Sequence, residues 1–169
     1  MTPNEKMEFV IELAKKAMDS GEYPIAAAVY HGDELISSAF TTEKADGRFL
    51  VHAEQKALMD ADIKRLPFEV RFHLELYTTL EPCLMCLGAA ISSFVGKVCY
   101  ALEAPEDGAI GYVSREYEGR PLGIWHFPEV SSGLLREKSI QLFCEYVEKN
   151  QDNNEYTGLL GFAKSLAEL

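Results

Sequence analysis

The spacing of apolar residues predicts amphipathic helices near both ends of the chain. Residues 2–5 form a capping-box sequence with proline at the first helical position, and Gly21 ends the helix that follows. The apolar side chains of this helix recur at helical spacing and are Met7, Val10, Ile11, Ala14, Ala17 and Met18. Residues 132–149 predict a second such helix, with Leu135, Ile140, Phe143, Tyr146 and Val147 on one side. After a loop at 150–157, residues 158–169 predict a terminal helix.

Two short apolar runs near the first helix predict a pair of strands. Residues 25–30 and 35–40 are joined by a four-residue loop that contains a glycine, which is typical of an antiparallel hairpin. A polar loop at 41–48 follows, and residues 51–61 then predict a helix.

Strands and helices alternate in the middle of the chain. Residues 74–78 and 97–102 predict two buried strands, separated by a helix that begins at Pro82 or Cys83. A strand–helix–strand order implies a parallel pair with a right-handed crossover. The segment before a weak strand at 129–131 is rich in glycine and proline and shows no clear periodicity. Helices on both sides of a mixed sheet place the chain in the α/β class.

Length and charge narrow the function further. The 169 residues are predicted to form one domain, 1–169, in which 150–169 is the C-terminal loop and helix. The formal net charge is −11 and no basic patch is visible, which favours a small-molecule substrate over a polyanion such as tRNA. No apolar run is long enough to cross a bilayer, and the polar start of the chain lacks the apolar part of a secretory signal. We therefore expect a cytoplasmic protein with no membrane partner.

Two short motifs carry the candidate chemistry: His-Ala-Glu at residues 52–54 and Pro-Cys-Leu-Met-Cys at residues 82–86. Imidazole and two thiolates are ligands that Zn²⁺ prefers, and three protein ligands leave one tetrahedral position open, as in a catalytic site. Cys83 and Cys86 are three residues apart, so both sulfurs project from one helix face. A helix N-terminus also favours the thiolate form. We predict one Zn²⁺ per chain, bound by His52, Cys83 and Cys86.

Glu54 is the candidate catalytic residue. It lies two residues past His52 and leaves the helix at a different angle, so it can approach the metal-bound water while His52 holds the metal. Zinc lowers the pKa of that water towards about 7. A carboxylate beside it can take the proton, pass it to the substrate and later protonate the leaving group. This division of labour suits a hydrolysis in which water adds and an amine departs.

Other interpretations explain less of the pattern. A Cys-x-x-Cys motif alone also fits a thioredoxin-like redox pair, which does not account for the His-Ala-Glu motif. A zinc ion that staples a non-catalytic scaffold leaves Glu54 without a role. The remaining cysteines, Cys99 and Cys144, lie in an apolar run and in an amphipathic helix, and are expected to be packing residues.

Together the two motifs resemble the zinc-dependent cytidine deaminase-like superfamily. The branch that contains bacterial tRNA adenosine deaminases and guanine deaminases is the most similar. Residues 24–29, 77–86 and 88–91 carry this similarity, which continues faintly through 130–135. It covers most of residues 1–149, and the last twenty residues match nothing recognisable.

The resemblance implies a three-layer α/β/α fold, with a five-stranded mixed sheet flanked by helices, and a homodimer. It implies zinc bound by His52, Cys83 and Cys86, with Glu54 as the proton shuttle. Zinc-bound hydroxide would attack a ring carbon of an amino-substituted base, free or within a nucleoside, nucleotide or RNA, and ammonia would leave. Backbone groups near Pro82 and Cys83 would meet the developing charge.

The chain departs from the family pattern where the substrate is read. Thr41 stands where the purine-acting branch usually has Asn. Residues 48–51 stand where the family usually has Asp-Pro-Thr shortly before the His-Ala-Glu motif. Ala26 stands where the family tends to have Gly. An Asn side-chain amide can form two hydrogen bonds to a base, and its loss can remove about 1–3 kcal/mol of discrimination between bases. The candidate substrate contacts are Thr41, Ala53, Pro82 and Phe49.

These features rank the possible functions. Deamination of a small-molecule nucleobase or nucleoside comes first. A tRNA-specific adenosine deaminase is the alternative, disfavoured by the acidic charge and the missing Asn, and the zinc-stapled scaffold comes last. Several aromatic residues are candidates to stack on a base, although burial in the core is the more frequent role of such side chains. They are Phe49, Tyr112, Trp125, His126 and Phe127.

Overall fold

The computed structural model describes residues 1–118, 124–151 and 157–169, and these contain one five-stranded sheet. Its strands are β1 (Ala26–His31), β2 (Glu34–Phe40), β3 (Leu74–Leu80), β4 (Lys97–Leu102) and β5 (Glu129–Ser132), in the order β2-β1-β3-β4-β5. β1 is antiparallel to β2 and β3, whereas β3, β4 and β5 run parallel. The predicted hairpin, parallel crossover and α/β class are confirmed.

Helices cover both faces of the sheet. They are α1 (Pro3–Asp19), α2 (Glu43–Asp46), α3 (Ala53–Ile63), α4 (Phe68–Arg71), α5 (Leu84–Ser92), α6 (Ile110–Tyr117), α7 (Arg136–Lys149) and α8 (Thr157–Ala167). The core on one face is built from α1, α7 and α8, with Met7, Phe143 and Leu166 fully buried. The opposite core is built from α3, α5 and α6, with Ala57, Leu87 and Ile110 among its buried residues. The predicted three-layer arrangement is confirmed.

The first helix begins as the sequence predicts. The Thr2 hydroxyl accepts a hydrogen bond from the backbone N–H of Glu5, and the Glu5 carboxylate accepts one from the backbone N–H of Thr2. Capping of this kind is worth about 1 kcal/mol, because it satisfies N–H groups that the helix itself cannot.

The C-terminal third differs most from the prediction. The helix expected at 132–149 begins only at Arg136, because Ser132 pairs with Tyr100 in the sheet. Gly133 and Leu135 then take left-handed φ values of 77° and 56°, which no helix accommodates. Helix α6 arises in the segment without periodicity. Most of the loop predicted at 150–157 lies outside the described residues.

The two cysteines outside the candidate site behave as packing residues. Cys99 is fully buried in β4, and Cys144 is half-buried with its sulfur 3.6 Å from the carbonyl oxygen of Ala167.

None of the helices that the structure describes is both long and apolar enough to span a bilayer.

Gly96 lies between α5 and β4 where two backbones meet. Its N–H donates to the carbonyl oxygen of Leu74 at 3.0 Å, and its carbonyl accepts from the N–H of Glu129 at 2.9 Å. A Cβ at this position would lie 1.9 Å from the carbonyl oxygen of Phe72, a clash that only backbone movement can relieve. We expect Gly96→Ala to lower the free energy of unfolding, measured in urea, by about 1–3 kcal/mol or more.

Gly111→Ala is the matched control. Gly111 lies on α6, and an added Cβ meets no atom within 4 Å. Because alanine favours the helix, this variant should be as stable as the parent or slightly more so. Equal losses in both variants would contradict the steric explanation.

Candidate active site

Two helix N-termini bring the predicted metal ligands together. His52 and Cys83 immediately precede α3 and α5 and have extended backbones, and Cys86 lies in the first turn of α5. The Cys83 end of α5 follows β3, so it lies at the carboxyl ends of the parallel strands, where α/β proteins commonly bind ligands. The side-chain amide of Gln55 donates to the carbonyl oxygen of Met85 at 3.1 Å and holds α3 against α5.

The three donor atoms have the spacing of a zinc site. His52 Nδ1 lies 3.7 Å from Cys83 Sγ and 3.5 Å from Cys86 Sγ, and all three atoms lie within 4.8 Å of one another. Tetrahedral zinc with ordinary Zn–N and Zn–S bonds separates such nitrogen and sulfur atoms by roughly 3.6 Å. The spacing and the donor chemistry both fit zinc held by Nδ1 of His52 and the two sulfurs.

Hydrogen bonds couple the protonation of these groups. The hydrogen bond with Cys86, aided by that with His52, lowers the pKa of Cys83 to about 4. The hydrogen bond with Cys83 raises the pKa of His52 to about 9. Cys83 and burial together raise the pKa of the Cys86 thiol. A bound cation takes the place of the shared protons, because cysteine binds zinc as the thiolate.

Glu54 is buried beside this ligand set. Its side chain lies in the first turn of α3, the residue is 3% exposed, and Oε2 has no hydrogen-bond partner among the described residues. Burial raises the pKa of the carboxyl group to about 7. A buried carboxyl oxygen without a partner costs stability, so its presence here points to a chemical role. A group with this pKa can accept and release a proton near neutral pH.

A cavity of about 400 Å³ is lined by His52, Cys83 and Glu54, and its volume suits a small organic molecule. Its apolar and aromatic lining residues are Tyr23, Ile25, Ala53, Leu80 and Phe162. Its acidic residues are Glu43, Glu54, Glu81, Glu106 and Asp107. Neither lysine nor arginine occurs among the described residues of this lining. The cavity therefore presents a negative and partly apolar surface to a ligand.

Glu81 brings part of the acidic lining into place. Its carboxylate accepts hydrogen bonds from the backbone N–H groups of Ala104 and Ile110, at 3.2 and 3.0 Å. These bonds hold the loop after β4 so that Glu106 and Asp107 line the cavity. Burial raises the pKa of Asp107. The sequence motifs did not reveal these carboxylates, since acidic residues in a loop are common on protein surfaces.

Two of the four candidate substrate contacts line the cavity. Thr41 and Ala53 line the cavity, whereas Pro82 and Phe49 do not belong to its lining. Phe49 is 73% exposed. The Thr41 hydroxyl lies 3.2 Å from the Glu43 carboxylate, to which it donates a hydrogen bond.

The aromatic lining comes from residues that the sequence did not single out. None of the five aromatic candidates lines the cavity, whereas Tyr23 and Phe162 do. Core burial is also wrong for Phe49, Tyr112 and Trp125, whose side chains are exposed rather than buried. No local motif marks Tyr23 or Phe162, because they come from opposite ends of the chain and only folding brings them to one cavity.

Comparison with known proteins decides the family. Residues 2–102, which include the three candidate ligands and Glu54, match the family model described as "Cytidine and deoxycytidylate deaminase zinc-binding region". The chain belongs to this deaminase family. Zinc is accordingly its cofactor, and His52, Cys83 and Cys86 form the candidate zinc site.

Several relatives of this deaminase belong to the branch predicted from the motifs. It is 35% identical to the tRNA-specific adenosine deaminase of Bacillus subtilis (strain 168), over 82% of this chain and 84% of that one. The structure of the guanine deaminase from Nitrosomonas europaea is similar with a TM-score of 0.68 and 30% identity, covering 86% of this chain and 84% of that one. A tRNA:A34 deaminase structure gives a TM-score of 0.69 at 26% identity, over 82% of this chain and 98% of that one. The predicted fold and branch are confirmed.

Proposed function

We propose that this protein catalyses the hydrolytic deamination of a small amino-substituted nucleobase or nucleoside, with release of ammonia. The observation that carries the proposal is the buried Glu54 carboxyl group beside the His52, Cys83 and Cys86 donor set, with its Oε2 unpartnered among the described residues. Glu54, His52 and Cys83 line the same cavity. When bound, zinc supplies a Lewis acid that activates water at neutral pH. The family to which the chain belongs supports the same chemistry.

Each residue has a stated task in this proposal. His52 Nδ1 and the sulfurs of Cys83 and Cys86 hold the metal. Glu54 would accept a proton from the attacking water and deliver it to a ring nitrogen. It would then take the proton of the hydroxyl group added to the ring carbon and pass it to the amine, so that the carbonyl forms as the C–N bond breaks and ammonia leaves. Thr41 and Ala53, which line the cavity, are the proposed substrate contacts.

The charge of the cavity favours an unphosphorylated substrate. Five carboxyl side chains line it, and the described lining contains no lysine or arginine to bind a phosphate. A protein that binds RNA needs such cations, because phosphate contacts provide much of the affinity. Helix α8 also lies against the cavity: Phe162 lines it, and the Ser165 hydroxyl donates to Glu106 at 2.7 Å. This helix leaves less room for a macromolecular substrate.

A tRNA-specific adenosine deaminase is the second candidate. It is supported by the similarity to the Bacillus subtilis tRNA-specific adenosine deaminase and to that of Haemophilus influenzae (strain ATCC 51907 / DSM 11121 / KW20 / Rd), which is 29% identical over 96% of this chain and 91% of the relative. The acidic cavity argues against it.

Ammonia release from a panel of substrates separates the two candidates. The panel contains purine and pyrimidine bases, their nucleosides and a tRNA anticodon stem-loop. We expect turnover of at least one base or nucleoside and no inosine in the stem-loop, because the cavity repels phosphates. Inosine formed only in the stem-loop would establish the second candidate. Failure of every substrate would contradict deamination of this class.

We also propose that residues 1–169 form a single domain and that two copies of the chain form a homodimer. Exposed apolar side chains occur on three helices that cover the same sheet face, namely Met59 on α3, Leu84 on α5 and Tyr112 on α6. Burial of such a surface between two copies would stabilise a dimer. Light scattering at micromolar concentration measures the mass directly, and a monomer would contradict this proposal.

A cytoplasmic location is proposed from the chemistry of the ligands. Cys83 and Cys86 must remain reduced to bind zinc, and reducing compartments keep thiols in that state.

A further inference from the structure

We propose that Glu43 is a positioning residue that orients His52 towards the metal. Glu43 comes from the loop after β2, the part of the chain in which the sequence leaves the family pattern. The inference rests on the proposed function only through the zinc site, and its test does not require turnover of a substrate.

The two nitrogens of His52 face different partners. Nδ1 faces the sulfurs of Cys83 and Cys86, at 3.7 and 3.5 Å. When Nδ1 binds a metal, the neutral imidazole carries its proton on Nε2. That Nε2 lies 3.6 Å from Oε1 of Glu43. This separation exceeds a normal N–H···O hydrogen bond by about half an ångström, so a small side-chain movement on metal binding would be enough to form one.

Such a carboxylate has a known physical effect on a metal-binding histidine. By accepting the Nε2 proton it selects the tautomer that leaves Nδ1 free for the metal, fixes the plane of the ring, and makes the imidazole a stronger donor. Glu43 is well placed for this task because its side chain is only 20% exposed, compared with 28% for His52. Limited solvent access reduces the competition from water for the same proton.

Glu43 is held in place by its own partners. Its second oxygen, Oε2, accepts a hydrogen bond from the Thr41 hydroxyl at 3.2 Å. Glu43 opens α2, and the next two backbone N–H groups, of Lys44 and Ala45, donate to the Glu22 carboxylate at 3.1 and 2.7 Å. The short helix therefore cannot turn Glu43 away from His52 without breaking these bonds.

The side chain of Lys44 fastens α2 to the rest of the protein. Its ammonium group donates to the carbonyl oxygen of Gly21 at 3.0 Å and to the hydroxyl of Tyr146. It also lies 4.8 and 4.7 Å from the ring centroids of Tyr23 and Tyr146, within cation–π range. Helix α2 is thus anchored to the end of α1 and to α7.

Zinc affinity tests this role directly. Metal-free protein is titrated with zinc in competition with a chromogenic chelator, for the parent, Glu43→Ala and Glu43→Gln. We expect Glu43→Ala to bind zinc about 10–100-fold more weakly, the range found when such histidine partners are lost. Glu43→Gln keeps an amide oxygen that can accept the Nε2 proton, so it should recover part of the affinity.

Asp46→Ala is the matched control, because Asp46 lies on the same short helix. Its carboxylate accepts from the Thr42 hydroxyl at 2.7 Å and is exposed, so its loss perturbs α2 but not His52. We expect its zinc affinity to equal that of the parent. An Asp46→Ala loss as large as that of Glu43→Ala, or parental affinity in Glu43→Ala, would overturn the assignment.

Two further measurements separate this role from its rivals. Equal thermal unfolding of metal-free parent and Glu43→Ala proteins would place the effect at the metal, whereas a matching loss of stability would assign Glu43 a structural role and overturn the proposal. A pure substrate contact would raise KM and leave zinc affinity unchanged, which also overturns it. If Glu43→Ala loses zinc affinity while no substrate is turned over, the positioning role stands and only the proposed reaction fails.

Discussion

Glu54→Gln is expected to lower kcat by two to four orders of magnitude, the usual contribution of a positioned acid–base group. Glutamine has nearly the same shape as glutamate, but its amide cannot accept and release the proton that the reaction moves. Burial raises the pKa of the Glu54 carboxyl group to about 7, which places its proton transfer close to neutral pH. The measurement is steady-state turnover with the substrate that the panel identifies.

Metal analysis of the same variant shows whether the effect is specific. Glu54 is not one of the three grouped donors, so Glu54→Gln should retain zinc. Glu34→Gln is the control, because Glu34 is exposed at the start of β2, outside the cavity lining. Parental activity in Glu54→Gln would contradict the proton-shuttle role, and loss of zinc would show that the substitution acts through the metal.

Cys86→Ala is expected to abolish zinc binding, with bound metal falling from about one ion per chain to near zero after dialysis. The remaining donors are one imidazole and one thiolate, and a zinc site of this kind needs three protein ligands. Activity should be lost with the metal. Elemental analysis together with protein concentration gives the occupancy.

Cys144→Ser controls for the loss of a cysteine as such. Cys144 is half-buried on α7, and its sulfur contacts the carbonyl oxygen of Ala167, a contact that a serine hydroxyl can replace. We expect full zinc occupancy in this variant. Full occupancy in Cys86→Ala would refute the ligand assignment.

Predictions from the sequence succeeded where local spacing decides the structure. The capping box, the β1–β2 hairpin and the β3–α5–β4 crossover each depend on residues close together in the chain, and all three are present. The start of α7 was misplaced because pairing of Ser132 with β4 is a long-range interaction that overrides helical periodicity. Helix α6 was missed because its N-terminal N–H group at Ile110 is satisfied by Glu81, which lies far away in sequence.

The residues of the candidate site also differ in whether a local sequence pattern reveals them. His52, Cys83, Cys86 and Glu54 could be chosen from sequence, because zinc chemistry requires particular side chains at short, regular spacings. Glu43 could not be chosen, because an acidic residue in a polar loop carries no local signal. The contact between Glu43 and His52 depends on the fold, because Glu22, which precedes β1, holds the loop after β2 in place.

The sequence alone predicts the α/β class, the deaminase family, the candidate zinc ligands and the candidate proton carrier. These features depend on side-chain chemistry and on periodicity among residues that are close together in the chain. Which residues line the cavity follows only from the tertiary structure. Tyr23, Glu43, Asp107 and Phe162 line the cavity from four separate parts of the chain. Contacts of this kind depend on how helices and loops pack against the sheet, and no local pattern specifies that packing.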